Sequence, residues 1–292
     1  MTATAQLADY VIAPRLQLER EDVPNVMDRR FPAVYTNYAE RVINTTDDVL
    51  NEWEVFVGIA KRNKTKIKLA GGELPLDDHL TDSKVIDYVY GNARFPMDKW
   101  RENKRTIHND NPIRVLPGDP ENSARFAVCP DDVFEELSEV REETSGTELL
   151  STFDKSLFPY LLVGRRLKHA LNSLGSELPG LSKVATTNYV YVNPDDLREL
   201  GATDGDLLKI SSPRSSVVGV IESDPDIKRG VVSMSHSWGG ISLTDEKVRD
   251  IGAPTNRLVS SDSGYDRITG LPIMSAIPVN IIVITDDQLI SS

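Results

Sequence analysis

The chain is poor in the residues that most often announce chemistry. Cys129 is the only cysteine among 292 residues. That excludes an intramolecular disulfide, a cysteine-ligated iron–sulfur cluster and any multi-cysteine zinc site made by this sequence alone. The four histidines, His79, His108, His169 and His236, are dispersed, with no i,i+4 pair for a metal. No apolar run approaches the roughly 18 residues of a membrane span. The opening MTATAQLADYVIAP lacks the basic region and apolar core of a secretory signal, so the chain reads as cytoplasmic. Positive charge is also short: 33 Lys and Arg against 45 Asp and Glu leave a net charge of −12. A general nucleic-acid binder or a protein adhering to an anionic membrane needs clustered cations, so neither class fits. No Ser-His-Asp set sits in a nucleophile context, and there is neither a G-x-G-x-x-G nor a P-loop lysine motif.

What remains is an ordinary globular composition, 39% hydrophobic and 27% charged, with length for two domains. The first half is irregular and helix-leaning. TTDDVLNEWEVFVGIAKR carries Thr and Asp caps and places Val49, Trp53, Phe56, Val57 and Ala60 at helical spacing. TDSKVIDYVYG predicts a second helix stopped at Gly91, and PDDVFEELSEVREE a third with Phe134, Leu137 and Val140 on one side. Long loops such as RTIHNDNPIRVLPGDPENS lie between them. Cys129 reads as a small buried apolar residue. The polar stretch REETSGTELLSTFDKS reads as a linker, dividing residues 1–150 from 151–292. Beyond it, YLLVG, NYVYVN, DLLKISS, SVVGVIESD, GVVSMS and VNIIVIT are short β-like runs with Gly, Pro and Asp punctuation. That pattern predicts a closed or nearly closed β-barrel, and an α+β fold overall.

Within the second half, NPDDLRELGATDG has a mechanical logic. Asn193 caps a helix, Pro194 takes its first position, Gly201 stops it, and Asp204-Gly205 turns the chain into a strand. Chemistry is better suited to VGRRLKHALNS, where Arg165, Arg166, Lys168, His169, Asn172 and Ser173 follow a strand end in an otherwise acidic protein. Such donors suit an anionic, phosphate-bearing ligand, although a solvated helix face would look the same. SMSHSWGG ends another strand in His236, Ser237 and Trp238 with two glycines, which is either a plain turn or a ligand-facing rim. The long loop before the last strand offers Asn256, Asp262, Tyr265 and Asp266.

In order, these segments resemble the C-terminal part of the molybdopterin oxidoreductase family, whose members include dimethyl sulfoxide reductase and formate dehydrogenase. One block is TATAQLADYVIAPRLQLERED followed by the Trp-containing helix. The other runs from Phe158 to Thr285 and carries LLVGRRLKHALNS, YVNPDDLRELGATDG with Leu197 at a usual alanine, GVVSMSHSWGG and TNRLVSSDSGYDRITGLP. The resemblance implies that an irregular, helix-rich segment is followed by a six-stranded double-psi β-barrel that binds molybdopterin guanine dinucleotide carrying Mo or W. By the same resemblance Gly164, Arg165, His169, Ser173, His236, Ser237, Trp238, Asn256, Tyr265 and Asp266 contact that cofactor. Residues 65–150 match nothing in particular.

The family's cluster-binding N-terminal portion and its metal-ligating residue have no counterpart here, and Cys129 lies too late in the chain for that role. The expectation is therefore a C-terminal fragment or split subunit, inactive alone. Its partners would be the remaining domains of the same oxidoreductase, with an electron-transfer subunit beyond them. A twin-arginine signal on the whole protein would move it to the periplasm. Two other classes are weighed. One is a stand-alone double-psi barrel acting as an interaction module without cofactor. The other is a small-barrel decarboxylase self-processed at a Gly-Ser pair, of which Gly175-Ser176 is the sole example.

Overall fold

A computed structural model describes residues 3–23, 33–46, 48–110, 118–142, 154–173, 178–180, 183, 186–240 and 247–290. The chain divides into a unit spanning Asp9–Ala124 and a second made of Met1–Ala8 with Arg125–Ser292. Both the expected linker around residue 150 and Gly175-Ser176 lie outside the described residues. No helix among the described residues is long and apolar enough to cross a membrane.

After a short helix α1 (Ala3–Leu7), the Asp9–Ala124 unit contains a 3-10 turn at Gln17–Glu19, then β1 (Val34–Asn37) and α2 (Glu52–Asn63). It continues with β2 (Lys68–Leu69), β3 (Gly72–Glu73), α3 (Asp82–Val89), α4 (Met97–Glu102) and β4 (Arg105–His108). Helix α2 starts later than its threonines suggest. Asn51 takes the cap position, and the Glu54 carboxylate accepts from the Asn51 N–H at 2.6 Å, which stabilises that boundary instead. Val49 is thus left outside the helix, and Val57 and Ala60 form its buried face. Thr81 caps α3 by accepting from Lys84 N–H at 3.3 Å. Helix α3 ends with Tyr90 as its C-cap, so Gly91 is the first residue past it, as expected, and Gly91 also has a second duty. A Cβ on Gly91 would lie 2.2 Å from Gly71 Cα, so only glycine lets these two backbones meet. Strand β4 pairs antiparallel with β1 inside a stretch that reads as loop, since four residues are too few to show alternation. Two small apolar clusters hold the unit, one around Val23, Tyr38, Met97 and Trp100, the other around Val57, Leu74 and Val85.

The second unit continues with α5 (Asp131–Glu142), β5 (Tyr160–Arg165), β6 (Val190–Val192), α6 (Pro194–Leu200), β7 (Leu207–Ser211) and β8 (Ser216–Ser223). It closes with β9 (Val231–Ser235), α7 (Val248–Ile251), a 3-10 turn at Thr255–Leu258, β10 (Ile277–Ile284) and α8 (Asp286–Ile290). Every β-like run of the second half is a strand, and the six close into a mixed barrel ordered β10-β5-β9-β6-β8-β7, the architecture expected. Pairs β5/β9 and β6/β8 are parallel, and the other four are antiparallel. One apolar core fills the barrel, with Val190, Val192, Leu208, Ile210, Val217 and Val232 fully buried. Strand β8 is buried on both faces because α7 and the 255–258 turn pack outside it.

Local signals here work as read. The Asn193 side chain accepts from Asp195 N–H at 2.8 Å, Pro194 opens α6, and Gly201 closes it in the left-handed region. Asp196 is buried and accepts from Gly230 N–H at 2.7 Å and Arg229 Nε at 3.0 Å, tying α6 to the entry of β9. One expectation needs correction. Cys129 is exposed rather than buried. It sits just before an amphipathic helix whose apolar residues are also open, Phe134 being 64% exposed.

Candidate functional site

Strand register decides which loops share an end of the barrel. Arg165 is opposite Ser235, so the C-terminal ends of β5 and β9 lie together. Strand β6 runs antiparallel to β9, which brings its N-terminal end to the same place. Pairings of β8 with β6, β7 with β8 and β10 with β7 carry this around the barrel, adding the β7–β8 turn and the start of β10. One end therefore collects the segments after β5, after β9 and before β10. Of the ten residues expected to contact the cofactor, Gly164 and Arg165 end β5 and the other eight lie on these segments.

The geometry distinguishes these ten. Gly164 is exposed, and a Cβ placed on it would meet nothing within 4 Å, leaving open space beside the strand end. Arg165 is engaged: its guanidinium lies 3.7 Å from the Tyr191 ring centroid and donates to Asp224 at 2.5 Å. That hydrogen bond holds the Asp224 carboxyl below its ordinary range, while burial raises the Tyr191 phenol. Tyr191 projects between the fully buried Val190 and Val192, so Arg165 lies against the barrel's outer wall. His169 and Ser173 are exposed and bond to no described residue. His236 does meet the β5 loop, its Nε2 lying 3.0 Å from the Asn172 amide oxygen, which also accepts from Arg166 at 2.9 Å. Ser237 is exposed at φ 69°, and Trp238 is half-buried beside it.

Asn256 is exposed on the 255–258 turn. Asp266 instead closes a hairpin, accepting from Thr269 N–H at 2.6 Å and Thr269 Oγ1 at 2.7 Å; these bonds lower its carboxyl pKa. Tyr265, 52% exposed, forms a bridge with Pro272 in that hairpin. A cavity of about 270 Å³ opens between the hairpin's base and the β7–β8 turn, lined by Arg214, Leu258, Ser260, Asp262 and Ile277 among others.

Asn172, named with the basic cluster, holds φ 54°, a conformation asparagine tolerates. Sequence reasoning passed over Tyr191 and Asp224, because their contact with Arg165 spans separate strands. Thr187 is 2% exposed, and its hydroxyl has no hydrogen-bond partner. Asn188, 1% exposed, bonds three main-chain groups.

Four non-glycine residues among those described have a left-handed backbone: Lys64, Asn172, Ser237 and Ala276. Lys64 merely ends α2, whereas the other three gather at this end of the barrel. Arg166, Lys168, His169 and Ser173 are phosphate-suited donors on the segment after β5, Trp238 presents an indole on the segment after β9, and the buried Thr187 hydroxyl has no hydrogen-bond partner among the described residues. This donor set fits a phosphate-bearing ligand with a planar ring system. No group of three or more acidic, His and Cys residues among those described could hold a metal ion.

Residues 160–278 match the family model of the molydopterin dinucleotide binding domain. Over 278 residues the chain is 22% identical to a putative catalytic subunit of dimethyl sulfoxide reductase from Halobacterium salinarum, covering 91% of this chain and 32% of that protein. That coverage leaves too few residues aside to omit the stretch 65–150, which sequence motifs alone tie to nothing. A second relative, the alpha subunit of the F420-dependent formate dehydrogenase of Methanocaldococcus jannaschii, is 21% identical over 248 residues, covering 80% of this chain and 32% of its own length. Among solved structures, acetylene hydratase from Pelobacter acetylenicus superposes with a TM-score of 0.65 at 19% identity, covering 97% of this chain and 39% of that one. The chain spans about a third of the curated relatives it matches. With a barrel of this topology and a match to the molydopterin dinucleotide binding domain over its strands, the chain is similar to the C-terminal portion of molybdopterin oxidoreductases.

Proposed function

We propose that this end of the barrel binds a molybdopterin guanine dinucleotide and caps it within a larger oxidoreductase. The observation that carries the reading is the convergence of Asn172, Ser237 and Ala276, all in left-handed conformations, around the strand ends that present His236 and Trp238. Bound there, the group supplies redox chemistry at its Mo or W atom, and this chain's residues do the holding. Arg166, Lys168, His169 and Ser173 offer donors to the diphosphate, and Trp238 offers a ring face to the pterin or base. Asn172 and His236 hold the β5 and β9 loops in one register through their 3.0 Å contact. Gly164 leaves room for the ligand against β5, while Asn256 and Tyr265 close the far side and Asp266 shapes their hairpin. Arg165 contributes by fixing the strand end through Tyr191 and Asp224.

The metal ligand and an iron–sulfur cluster would come from the N-terminal portion of the whole protein, and electrons would pass to a further subunit. The test uses stable stand-ins for the two halves of the dinucleotide, 6-carboxypterin and GDP, titrated while tryptophan emission is followed. The expected result is saturable quenching by at least one, weakened in Trp238→Ala and His236→Ala. Failure of both probes to bind saturably would sink the reading.

A further inference from the structure

We infer that Asn188 is the positioning residue of this rim: its buried amide holds the segment after β9 in the strained conformation that presents Ser237 and Trp238. The inference rests on the proposed function only for what the rim then binds. Asn188 is 1% exposed and is spent entirely on main-chain groups. Its Nδ2 donates to Ser235 O at 2.6 Å and to Ala253 O at 2.9 Å, while its Oδ1 accepts from Ala253 N–H at 2.8 Å. The amide thus mimics a peptide unit toward Ala253 and, with its remaining hydrogen, grips the last residue of β9. Ser235 is the last residue of β9 to pair with β5; beyond it the chain leaves the barrel and returns past Gly252 to the 255–258 turn.

The neighbouring backbone is built around this amide. Gly252 holds φ 72° and ψ −169°, a region essentially closed to other residues. A Cβ there would stand 2.3 Å from Asn188 Oδ1 and 3.1 Å from Trp238 Cβ, so the amide and the root of the Trp238 side chain pack against the same bare glycine. Gly239 N–H donates to Ile251 O at 2.8 Å, closing the segment onto the strip that Asn188 holds. Between those two anchors, Ser235 and Gly239, lie only His236, Ser237 and Trp238. The clamp therefore determines where their side chains can stand, and it keeps Ser237 at φ 69°.

Hydrogen exchange followed by mass spectrometry, on the full chain, tests this. In Asn188→Ala, peptides covering 231–240 and 250–258 should exchange about tenfold faster or more, with the β7–β8 hairpin peptide unchanged. Asn188→Asp, nearly the same shape, supplies a second variant if the alanine form does not fold. Its carboxylate cannot donate to either carbonyl, so the same two segments should loosen near neutral pH. They should tighten on acidification, when the protonated acid regains one donor. Uniformly faster exchange across the barrel would make Asn188 a plain core residue, and unchanged exchange would remove its role altogether; either overturns the inference. Binding of 6-carboxypterin to the same variants separates the two readings. If the rim loosens as expected but the unsubstituted chain binds no pterin, the cofactor assignment fails and the positioning role stands.

Discussion

The two units hold themselves together by different means. In the barrel, one continuous apolar core runs from Leu162 to Leu289, and two of the buried polar residues beside it, Asp196 and Asn188, are bonded at hydrogen-bond distance. In Asp9–Ala124 the buried apolar clusters are small, and charge does more of the joining. Arg15 pairs with Glu54 and Asp82, Arg101 pairs with Asp87, and Trp53 Nε1 donates to Asp82 at 2.9 Å. Meanwhile Tyr10, Val42, Phe56 and Ile107 remain 88%, 73%, 65% and 75% exposed. A barrel closes its own edges and fills its own interior, so it can stand as a domain. The other unit exposes what a packed neighbour normally covers, in keeping with a chain that spans a third of its relatives. The proposed binding residues belong to the region that needs no help to hold its shape.

The sharpest way to break this contrast is a cavity in each core. Leu208→Ala, at a fully buried barrel position, should cost about 2–5 kcal/mol. Denaturant unfolding should show the loss in the barrel's transition. Leu74→Ala should shift a separate transition belonging to Asp9–Ala124; a single shared transition in both variants would mean that the units fold as one. Next in size is Asp196→Ala, which strands Gly230 N–H and releases Arg229. A loss of about 1–3 kcal/mol is expected, with 6-carboxypterin affinity unchanged because α6 is at the opposite barrel end.

His236→Ala should behave the other way round. Its thermal midpoint should stay near that of the parent chain, while pterin binding weakens about five- to tenfold from the lost rim contact. The smallest effect concerns acid. Asp224 has a lowered folded-state pKa, chiefly through the Arg165 hydrogen bond, so its stabilisation is present above the ordinary carboxylate value of 3.8 and fades as pH falls through the lower folded value. Arg165 and Asp224 are partly solvated, so the pair should contribute less than about 1 kcal/mol. Asp224→Asn should accordingly lower stability slightly near neutrality and match the parent chain at the acid extreme, as read from urea midpoints against pH.

Some features of this protein follow from short stretches of sequence. The six barrel strands, the Asn193-to-Gly201 helix with its caps, and the turn at Asp204-Gly205 are local events, dictated by side-chain alternation, capping oxygens and backbone freedom within a few residues. The motifs of the two strand ends were legible for the same reason. Other features required the closed barrel. Register alone brought the loops after β5 and β9 to one end, and so joined His236 to Asn172. The same closure drew Arg165 onto Tyr191 and Asp224. Asn188 carries no mark in sequence at all, since a buried asparagine and an exposed one look alike until three main-chain groups converge on it. Cys129 misled for the opposite reason: its type favours burial, but no neighbouring element covers it. Local propensity acts over a turn or a strand, whereas a binding end is assembled by pairings between residues tens of positions apart, and those belong to the fold.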